Sequence, residues 1–272
     1  MSRARGMRVM AGLTSGCAVT AMALGVAAAV TNAQATRVQE STTRVRAWRV
    51  QHEREILREL FDFLSIPNVA ANPDDIAKNA QALTRMFERR RFLPDTLPTG
   101  GAPLVVAERR PPNAQRTITF YFHYDGQPVV PSEWTHSPPF SPVVVGDRIY
   151  ARSASDDKAP IVALLAAIDA LDASNTPLTS NIRILMEGEE EAGSPNLEKA
   201  IREHGDRFRA DALLLVDGPR HASDRPTINF GARGIMNAVV TVYGPSRDLH
   251  SGNYGNWAPN PALALARLLA SM

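Results

Sequence analysis

The amino-acid sequence predicts an α/β fold in which a mostly parallel sheet is flanked by helices. Short apolar segments alternate along the chain with segments of helical periodicity, as in βαβ organisation. The chain has 272 residues and is 44% hydrophobic, enough to bury a core. Acidic and imidazole groups follow several of the apolar segments, so they would lie at the carboxyl ends of the strands. Ligands of a parallel sheet bind at this edge.

Residues 1–35 have the features of a signal peptide. Three arginines stand close to the N-terminus: Arg3, Arg5 and Arg8. An apolar run over residues 9–30 follows them, and Ala33-Gln34-Ala35 matches a cleavage site. We expect export to the periplasm or the exterior after cleavage, with a membrane anchor formed by residues 9–30 as the alternative.

Cysteine content and charge exclude several classes of function. The single cysteine, Cys17, lies in the segment that cleavage would remove, which would leave neither a disulfide framework nor a thiol nucleophile. Metal ligands would then be oxygen atoms and imidazole nitrogens. Cleavage would also change the formal net charge from +2 to −1, so nothing suggests a nucleic-acid partner.

The elements before residue 227 follow from apolar periodicity and from helix-end signals. Asn72 is an expected N-cap with Pro73 after it, Pro67 ends the preceding helix, and four prolines over residues 130–146 predict a long ordered loop. Helices are predicted over Thr36–Ile66, Asn72–Arg90, Pro160–Leu171 and Asn196–His204. Strands are predicted over Leu104–Ala107, Thr117–His123, Ile182–Met186 and Ala212–Val216.

A second domain is expected to begin near residue 228. A new strand over Ile235–Tyr243 is predicted to lead through a loop rich in glycine and asparagine into a helix over Asn260–Met272. The chain would therefore comprise a signal peptide (1–35), an α/β domain (36–227) and part of a second domain (228–272).

The segment His123-Tyr124-Asp125 ends a predicted strand as His-x-Asp. An imidazole that leaves a buried strand is a good metal ligand, and a carboxylate two residues later can hold its other nitrogen. Taken alone, the pair is a weak signal that favours a hydrogen-bonded structural His-Asp contact over a metal site.

Three further acidic segments have the same placement. Asp156-Asp157-Lys158 opens a predicted helix, Glu189-Glu190-Glu191 follows a strand, and Asp217 ends the next strand. A carboxylate at such a position can bind cations, and adjacent carboxylates are costly to hold together unless a cation or a proton separates their charges. The alternatives are a solvated helix start for the first segment and an exposed acidic turn for the second.

In this order the motifs resemble those of the M20 family of metallopeptidases. The resemblance covers about residues 53–272 and rests on FYFHYDGQPV, RIYARSASDDKAP, MEGEEEAGSPN, LLLVDGP and GARGIMNAVVTVYGPSRDLHSGNYG. It implies a zinc-peptidase-like catalytic domain, the start of an inserted α+β lid or dimerisation domain, and hydrolysis of a dipeptide, short peptide or N-acyl amino acid. Zn²⁺ would be the cofactor, two per complete site, with Mn²⁺ or Co²⁺ possible.

The resemblance also implies roles for individual residues. His123 and Asp217 would bind the first metal, Asp156 would bridge both metals, and Glu191 would bind the second. Glu190 would be the general base, and Asp125 would orient His123. His250 would steady the substrate's carbonyl oxygen, reaching the active site of the partner in a homodimer formed through the lid.

The chain departs from the family pattern in two respects. Where the family has glycines around the bridging aspartate, this chain has Ala151, Ser153 and Ala159, which makes any positive φ there more costly. We also expect that the chain ends before the final histidine ligand of the second metal. Two interpretations follow: a hydrolase whose functional form needs further residues, or a catalytically inactive metal-binding remnant.

Overall fold

The computed structural model of the protein describes residues 35–218, 221–223, 225–231 and 233–272. The chain divides into two compact units, residues 1–219 and 220–272. The expected signal peptide, apart from Ala35, and the alternative anchor over residues 9–30 lie outside the described residues, so both stay predictions. Among the helices that are described, none is long and apolar enough to cross a membrane.

The first unit contains five helices and seven strands in its described part. The helices are α1 (residues 35–51), α2 (Glu53–Leu64), α3 (Pro73–Glu88), α4 (Lys158–Ala173) and α5 (Leu197–Phe208). The strands are β1 (Leu93–Leu97), β2 (Leu104–Arg109), β3 (Thr117–His123), β4 (Val143–Val145), β5 (Arg148–Tyr150), β6 (Asn181–Glu187) and β7 (Ala212–Leu215).

The main sheet has five strands in the order β1-β2-β6-β3-β7. β3 pairs in parallel with both β6 and β7, while β2 is antiparallel to β6 and to β1. All its strands except β2 therefore run in one direction, which confirms the prediction of a mostly parallel sheet. The register pairs His123 with Glu187, so β3 and β6 end side by side.

Helices cover both faces of this sheet. Val105 and Phe122 belong to a buried cluster that includes residues of α2, α3 and α4, whereas Val106 and Tyr121 pack with Ala200 of α5 on the other face. Neighbouring residues of a strand point to opposite faces, so each strand contributes to both layers. This α/β packing holds the carboxyl ends of β3, β6 and β7 at one edge.

The predicted helix ends agree with the structure in α3 but not in the first helix. Asn72 accepts a hydrogen bond from the backbone N–H of Asp75, and Pro73 opens α3, as expected for an N-cap. The single helix predicted over Thr36–Ile66 is interrupted at His52, whose ring donates to Trp48 O (2.9 Å) and stacks on the Trp48 indole.

Three strands were not predicted. β1 contains Pro94 and Asp95 and lies at the sheet edge, where proline is tolerated. β4 and β5 form a separate two-stranded sheet at the end of the proline-rich segment, joined through Gly146 with φ of +65°. The dipeptide Gly146-Asp147 between two short segments rich in β-formers, Val143–Val145 and Arg148–Tyr150, is a hairpin signal that would have identified them.

The second unit contains α6 (Ser251–Tyr254) and α7 (Pro261–Ala270). Asn260 caps α7 by accepting hydrogen bonds from Ala262 and Leu263, in agreement with the predicted helix. The strand predicted over Ile235–Tyr243 is wrong, since these residues have no regular secondary structure. A strand needs a hydrogen-bonded neighbour, and none pairs with this segment among the described residues.

Candidate metal centre at the carboxyl edge of the sheet

His123 is the last residue of β3 and is almost fully buried. Its Nδ1 lies 3.3 Å from Asp125 Oδ1. The two atoms are close enough for an ion pair, but they do not form a hydrogen bond of good geometry. Its Nε2 points the other way, 2.7 Å from Asp156 Oδ1 and 3.9 Å from Asp217 Oδ2. The imidazole is therefore held on one side and presents its other nitrogen to two carboxylates.

Asp156 and Asp217 complete this group from two other elements. Asp156 precedes α4, Asp217 follows β7, and their side chains are 60% and 34% exposed. Ligand atoms of His123, Asp156 and Asp217 all lie within 4.8 Å of one another. Two ligands of a tetrahedral zinc ion are separated by about 3.4 Å. The observed separations bracket that value, so the three side chains fit a divalent cation after small shifts.

The charge of the group also fits a cation. Burial alone lowers the pKa of His123, but the carboxylates of Asp125, Asp157 and Asp156 outweigh it and raise this pKa to about 10. Burial raises the pKa of Asp157 to about 8, and the Asp217 and Asp156 carboxylates add to the effect while His123 opposes it. The shift of His123 reflects the negative charge around it, and neighbouring carboxylates add to burial in the shift of Asp157; a bound cation would offset this negative charge.

The residues beside Asp156 are not a solvated helix start. Asp157 is buried and accepts a hydrogen bond from the backbone N–H of His123 (3.2 Å). Lys158 is fully buried and donates to Phe63 O and Ile66 O, both at 2.8 Å. Asp156 thus protrudes from a turn whose next two side chains are anchored inside the protein.

The acidic run after β6 divides into two pairs. Glu187 and Glu189 are buried, where Glu187 accepts from Tyr121 Oη (2.6 Å) and Glu189 from Ala102 N and Asn196 Nδ2. Glu190 and Glu191 are partly exposed. The exposed acidic turn given as the alternative for Glu189-Glu190-Glu191 is therefore wrong for Glu189, whose buried side chain anchors the turn.

Asp125 holds the other side of the same turn. This fully buried carboxylate accepts hydrogen bonds from the backbone N–H groups of Glu190 (3.1 Å) and Glu191 (3.0 Å). It therefore contacts His123 and fixes the acidic turn at once, whereas the sequence suggested only the first of these contacts. Burial raises the pKa of Glu190, with the Asp217, Glu191 and Asp125 carboxylates adding and His123 opposing.

Glu191 is not within the group formed by His123, Asp156 and Asp217. Its carboxylate accepts a hydrogen bond from Gln127 Nε2 (2.6 Å). Glu191 and Asp156 both line a cavity of about 360 Å³, together with Trp134 and Arg152. The structure thus brings His123, Asp156 and Asp217 together, three of the four predicted metal ligands. The fourth, Glu191, lines a cavity that Asp156 also lines.

His250 lies in the second unit, where it precedes α6. Its Nδ1 accepts a hydrogen bond from the backbone N–H of Gly252 (3.0 Å). The role expected for this histidine stays a prediction, as do the individual roles of the metal-binding and catalytic candidates.

The sequence assigned no individual role to Asp157, Glu187, Glu189 or Gln127. A partial signal existed for the glutamates, because carboxylates so close in sequence are costly to hold together and are better separated into different surroundings. Of the three positions where the family pattern has glycine, Ser153 alone has a positive φ, at +60°. The expected backbone cost therefore applies at Ser153 and not at Ala151 or Ala159.

Comparison with known proteins agrees with this geometry. Peptidase family M20/M25/M40 matches residues 119–263. The chain is 29% identical over 239 residues to the human Beta-Ala-His dipeptidase, which covers 81% of this chain and 47% of the relative. It is 30% identical over 173 residues to the Cys-Gly metallodipeptidase of Schizosaccharomyces pombe, covering 62% of this chain and 36% of the relative.

A solved structure of an M20 family protein is also similar to this chain. An M20 family metallo-carboxypeptidase from Sulfolobus solfataricus has a TM-score of 0.63 and 35% identity, over 79% of this chain and 49% of that one. The chain spans about half the length of the relatives it matches, or less. Because the family match extends over more than half of the chain and includes every candidate site residue from His123 to His250, the protein belongs to peptidase family M20/M25/M40.

Proposed function

We propose that the protein is a metal-dependent hydrolase that cleaves the amide bond of a dipeptide, a short peptide or an N-acyl amino acid. The observation that carries this proposal is the group of His123, Asp156 and Asp217, with which the Glu190 carboxylate interacts electrostatically. The similarity to a Beta-Ala-His dipeptidase and a Cys-Gly metallodipeptidase supports a small peptide as the substrate.

His123 and Asp217 would hold a first divalent cation, Glu191 a second, and Asp156 would bridge the two. A nitrogen and carboxylate donor set suits Zn²⁺, and Mn²⁺ or Co²⁺ fits the same set. Bound cations would supply Lewis acidity, lowering the pKa of a water molecule and polarising the substrate carbonyl. Three described side chains would hold the first cation, whereas only Asp156 and Glu191 would hold the second. We therefore expect the first equivalent of metal ion to bind more tightly than the second.

The chain's own groups would then move the proton. Glu190 would accept it from the attacking water and deliver it to the leaving amine, a role that favours a carboxylate with a raised pKa. Asp125 would keep the proton of His123 on Nδ1, so that the lone pair of Nε2 remains free for a cation. The two hydrogen bonds from the acidic turn to Asp125 would keep Glu190 and Glu191 in place.

The second unit would complete the substrate site. We propose that residues 228–272 are part of a lid or dimerisation domain, and that His250 steadies the substrate's carbonyl oxygen in the partner's active site. This rests on the match of Asp248-Leu249-His250-Ser251-Gly252 to the family motif. Measurement of dimerisation by analytical ultracentrifugation tests it, and a strictly monomeric protein with full activity would contradict it.

Hydrolysis of dipeptides and N-acyl amino acids by the purified protein, with Zn²⁺, Mn²⁺ or Co²⁺ added, tests the proposed reaction. Loss of the general base in Glu190→Gln should lower kcat by about 10²–10⁴-fold while the metal is retained. Glu198→Gln, which removes an exposed carboxylate of α5 that pairs with Arg202, is the matched control and should have no effect. Turnover that survives Glu190→Gln would contradict the proposal.

The alternative is a metal-binding protein without activity. It is favoured if the chain binds a cation through His123 but hydrolyses none of these substrates above background. Loss of metal binding in His123→Ala, with no turnover in the unmodified protein, would identify this case.

We also propose that the protein is exported and cleaved after Ala35. The arginines before the apolar run and the Ala-x-Ala pattern support this. N-terminal sequencing of the mature protein should begin at Thr36, whereas an intact N-terminus in the membrane fraction would support the anchor over residues 9–30.

A further inference from the structure

Asn68 is a fully buried polar residue that belongs to none of the motifs considered so far. It lies in the segment between α2 and α3. Its side-chain Nδ2 donates to Tyr124 O (2.8 Å) and to Ser153 Oγ (2.9 Å). Its backbone carbonyl accepts from the N–H of Gly126 (2.9 Å). One residue thus makes three hydrogen bonds to two segments that are distant in sequence.

These two segments carry the residues of the metal centre. Tyr124 stands between His123 and Asp125, and Gly126 follows them, so two of the three hydrogen bonds hold the His-x-Asp turn. Ser153 begins the turn that leads to Asp156. The separation of His123 Nε2 from Asp156 Oδ1, 2.7 Å, therefore depends on two segments that Asn68 connects.

The contact with Ser153 meets a need specific to this chain. Ser153 is buried with φ of +60°, a left-handed conformation that side chains with a Cβ rarely adopt. Its hydroxyl lies against Gly126, where an added Cβ would collide with it. A buried hydroxyl in a strained turn requires a partner, and Asn68 provides a donor for it.

Lys158 links the same segment to the helix start. Its ammonium group donates to Phe63 O and Ile66 O, at the end of α2 and just before Asn68. The residues on either side of Asp156 are therefore both attached to the chain that follows α2, Ser153 through Asn68 and Lys158 directly.

We propose that Asn68 is a positioning residue of the metal centre, which sets the distance between the His-x-Asp turn and the turn that carries Asp156. The inference rests on the proposed function, because it assigns Asn68 a role toward the first cation. Asn68 does not approach that cation itself and acts through the backbone of Tyr124 and the hydroxyl of Ser153. Partners that hydrogen-bond directly to a metal ligand commonly change the metal affinity by about 10–100-fold, and Asn68 is one contact farther from the ligands, so about 10-fold is expected.

The chain contains a matched control in Asn79. It is also fully buried, and its Nδ2 also donates two hydrogen bonds, to Pro67 O and Asp75 O, both at 2.7 Å. In both asparagines the carboxamide oxygen has no hydrogen-bond partner among the described residues. Asn79 contacts no segment that carries a candidate ligand, so it reproduces the burial and bonding of Asn68 without the connection.

The experiment is calorimetric titration of the full chain with Zn²⁺, alongside thermal unfolding in the presence of a chelator. Both Asn68→Ala and Asn79→Ala should lower the unfolding temperature, since each leaves buried acceptors without a donor. Only Asn68→Ala should weaken binding of the first equivalent of Zn²⁺, by about 10-fold, the lower end of the range for partners of a metal ligand. Asn79→Ala leaves the hydrogen bonds from Asn68 to Tyr124 and Ser153 in place, so it should change this affinity by less than about threefold although Asn79 bonds to Pro67 beside Asn68.

Two milder variants keep the test decisive if Asn68→Ala fails to fold. Ser153→Ala removes one of the three hydrogen bonds and Asn68→Ser retains a shorter donor, so both should lose affinity by less than Asn68→Ala. Equal affinity in the unmodified protein, Asn68→Ser and Ser153→Ala would overturn the positioning role and leave the metal centre intact. Absence of Zn²⁺ binding in the unmodified protein would instead overturn the metal centre, and the inference with it.

Discussion

The two ends of helix α4 place acidic residues in opposite electrostatic environments. At its C-terminal end Asp169 forms an ion pair with Arg90, and Asp172 is paired with Arg109. At its N-terminal end Asp156 and Asp157 face His123, and none of the described acids of this edge pairs with an arginine or a lysine. Lys158, which follows Asp157, donates instead to main-chain carbonyls.

The difference separates acids that are paired with arginine from acids that are not. At the arginine end, pairing lowers the pKa of Asp172, because the hydrogen bond from Arg109 outweighs the effect of burial. At the metal-centre edge, burial and neighbouring carboxylates raise the pKa of Glu190 and Asp157. Carboxylates held close together around the single imidazole of His123 reduce stability, and the proposed cation would account for their presence.

The largest expected effect is loss of the cation site. His123→Ala removes the single imidazole of the group, so affinity for the first Zn²⁺ should fall by more than about 100-fold, beyond the range for indirect partners. Calorimetric titration measures it. His52→Ala, which removes a histidine stacked on Trp48, should bind Zn²⁺ as the unmodified protein does; equal loss in both variants would contradict the assignment.

The next effect is on stability at the arginine end. Arg90 is nearly buried and pairs with Glu59 and Asp169. Arg90→Met should lower the free energy of unfolding by about 2–3 kcal/mol, less than for a fully buried pair because both acids keep some contact with water.

Urea denaturation in the presence of a chelator checks this value. Arg89→Met removes an exposed arginine that contacts the same Glu59, and should cost about 0.5 kcal/mol or less. Neither variant should change Zn²⁺ affinity, and a change in Arg90→Met would show that the two ends of α4 are not independent.

A smaller effect should appear in the pH dependence of stability. Burial raises the pKa of Glu59, but hydrogen bonds and charge from Arg90 and Arg89 outweigh it and leave the pKa lowered from 4.5. A group with a lowered pKa contributes stability above its unfolded value and loses it as pH falls through the folded value. The stability difference between the unmodified protein and Arg90→Met should therefore shrink by about 1 kcal/mol between pH 6 and pH 3, after allowance for solvent screening.

Denaturation curves at several pH values provide this measurement. The difference between the two proteins should be constant above about pH 6, where Glu59 is ionised in both folded and unfolded states. A difference that grows on acidification would mean that the pairing of Glu59 is not what stabilises this end.

The smallest effect has the opposite sign. In the metal-free protein, Glu190→Gln removes one of several adjacent negative charges, and should raise the free energy of unfolding by about 0.5 kcal/mol or less because the side chain is partly exposed. Asp172→Asn, the corresponding change at the arginine end, should lower it. Both are measured by urea denaturation with chelator, and destabilisation by Glu190→Gln would show that its charge is compensated.

The strand and helix pattern was largely predictable because it is local. β3, β6, β7, α3 and α4 follow from apolar periodicity and end signals, and the cap of α3 by Asn72 agrees with its sequence. β1 and the β4–β5 hairpin were missed, since each is short and interrupted by proline or turn residues. The opposite error is a strand that was predicted but is absent. Residues Ile235–Tyr243 have the apolar pattern of a strand, but no described strand pairs with them.

The sequence by itself determined which groups could form a metal centre, because a strand that ends with histidine or aspartate places that side chain at the sheet edge. It did not determine which acidic side chains would remain free to bind a cation and which would be used in hydrogen bonds. In Glu187-Gly188-Glu189-Glu190-Glu191, four similar side chains take different roles according to whether Tyr121, Asn196 or Gln127 lies within reach. Those contacts join residues far apart in the chain, as does the link from Asn68 to Ser153, so only the tertiary structure decided them.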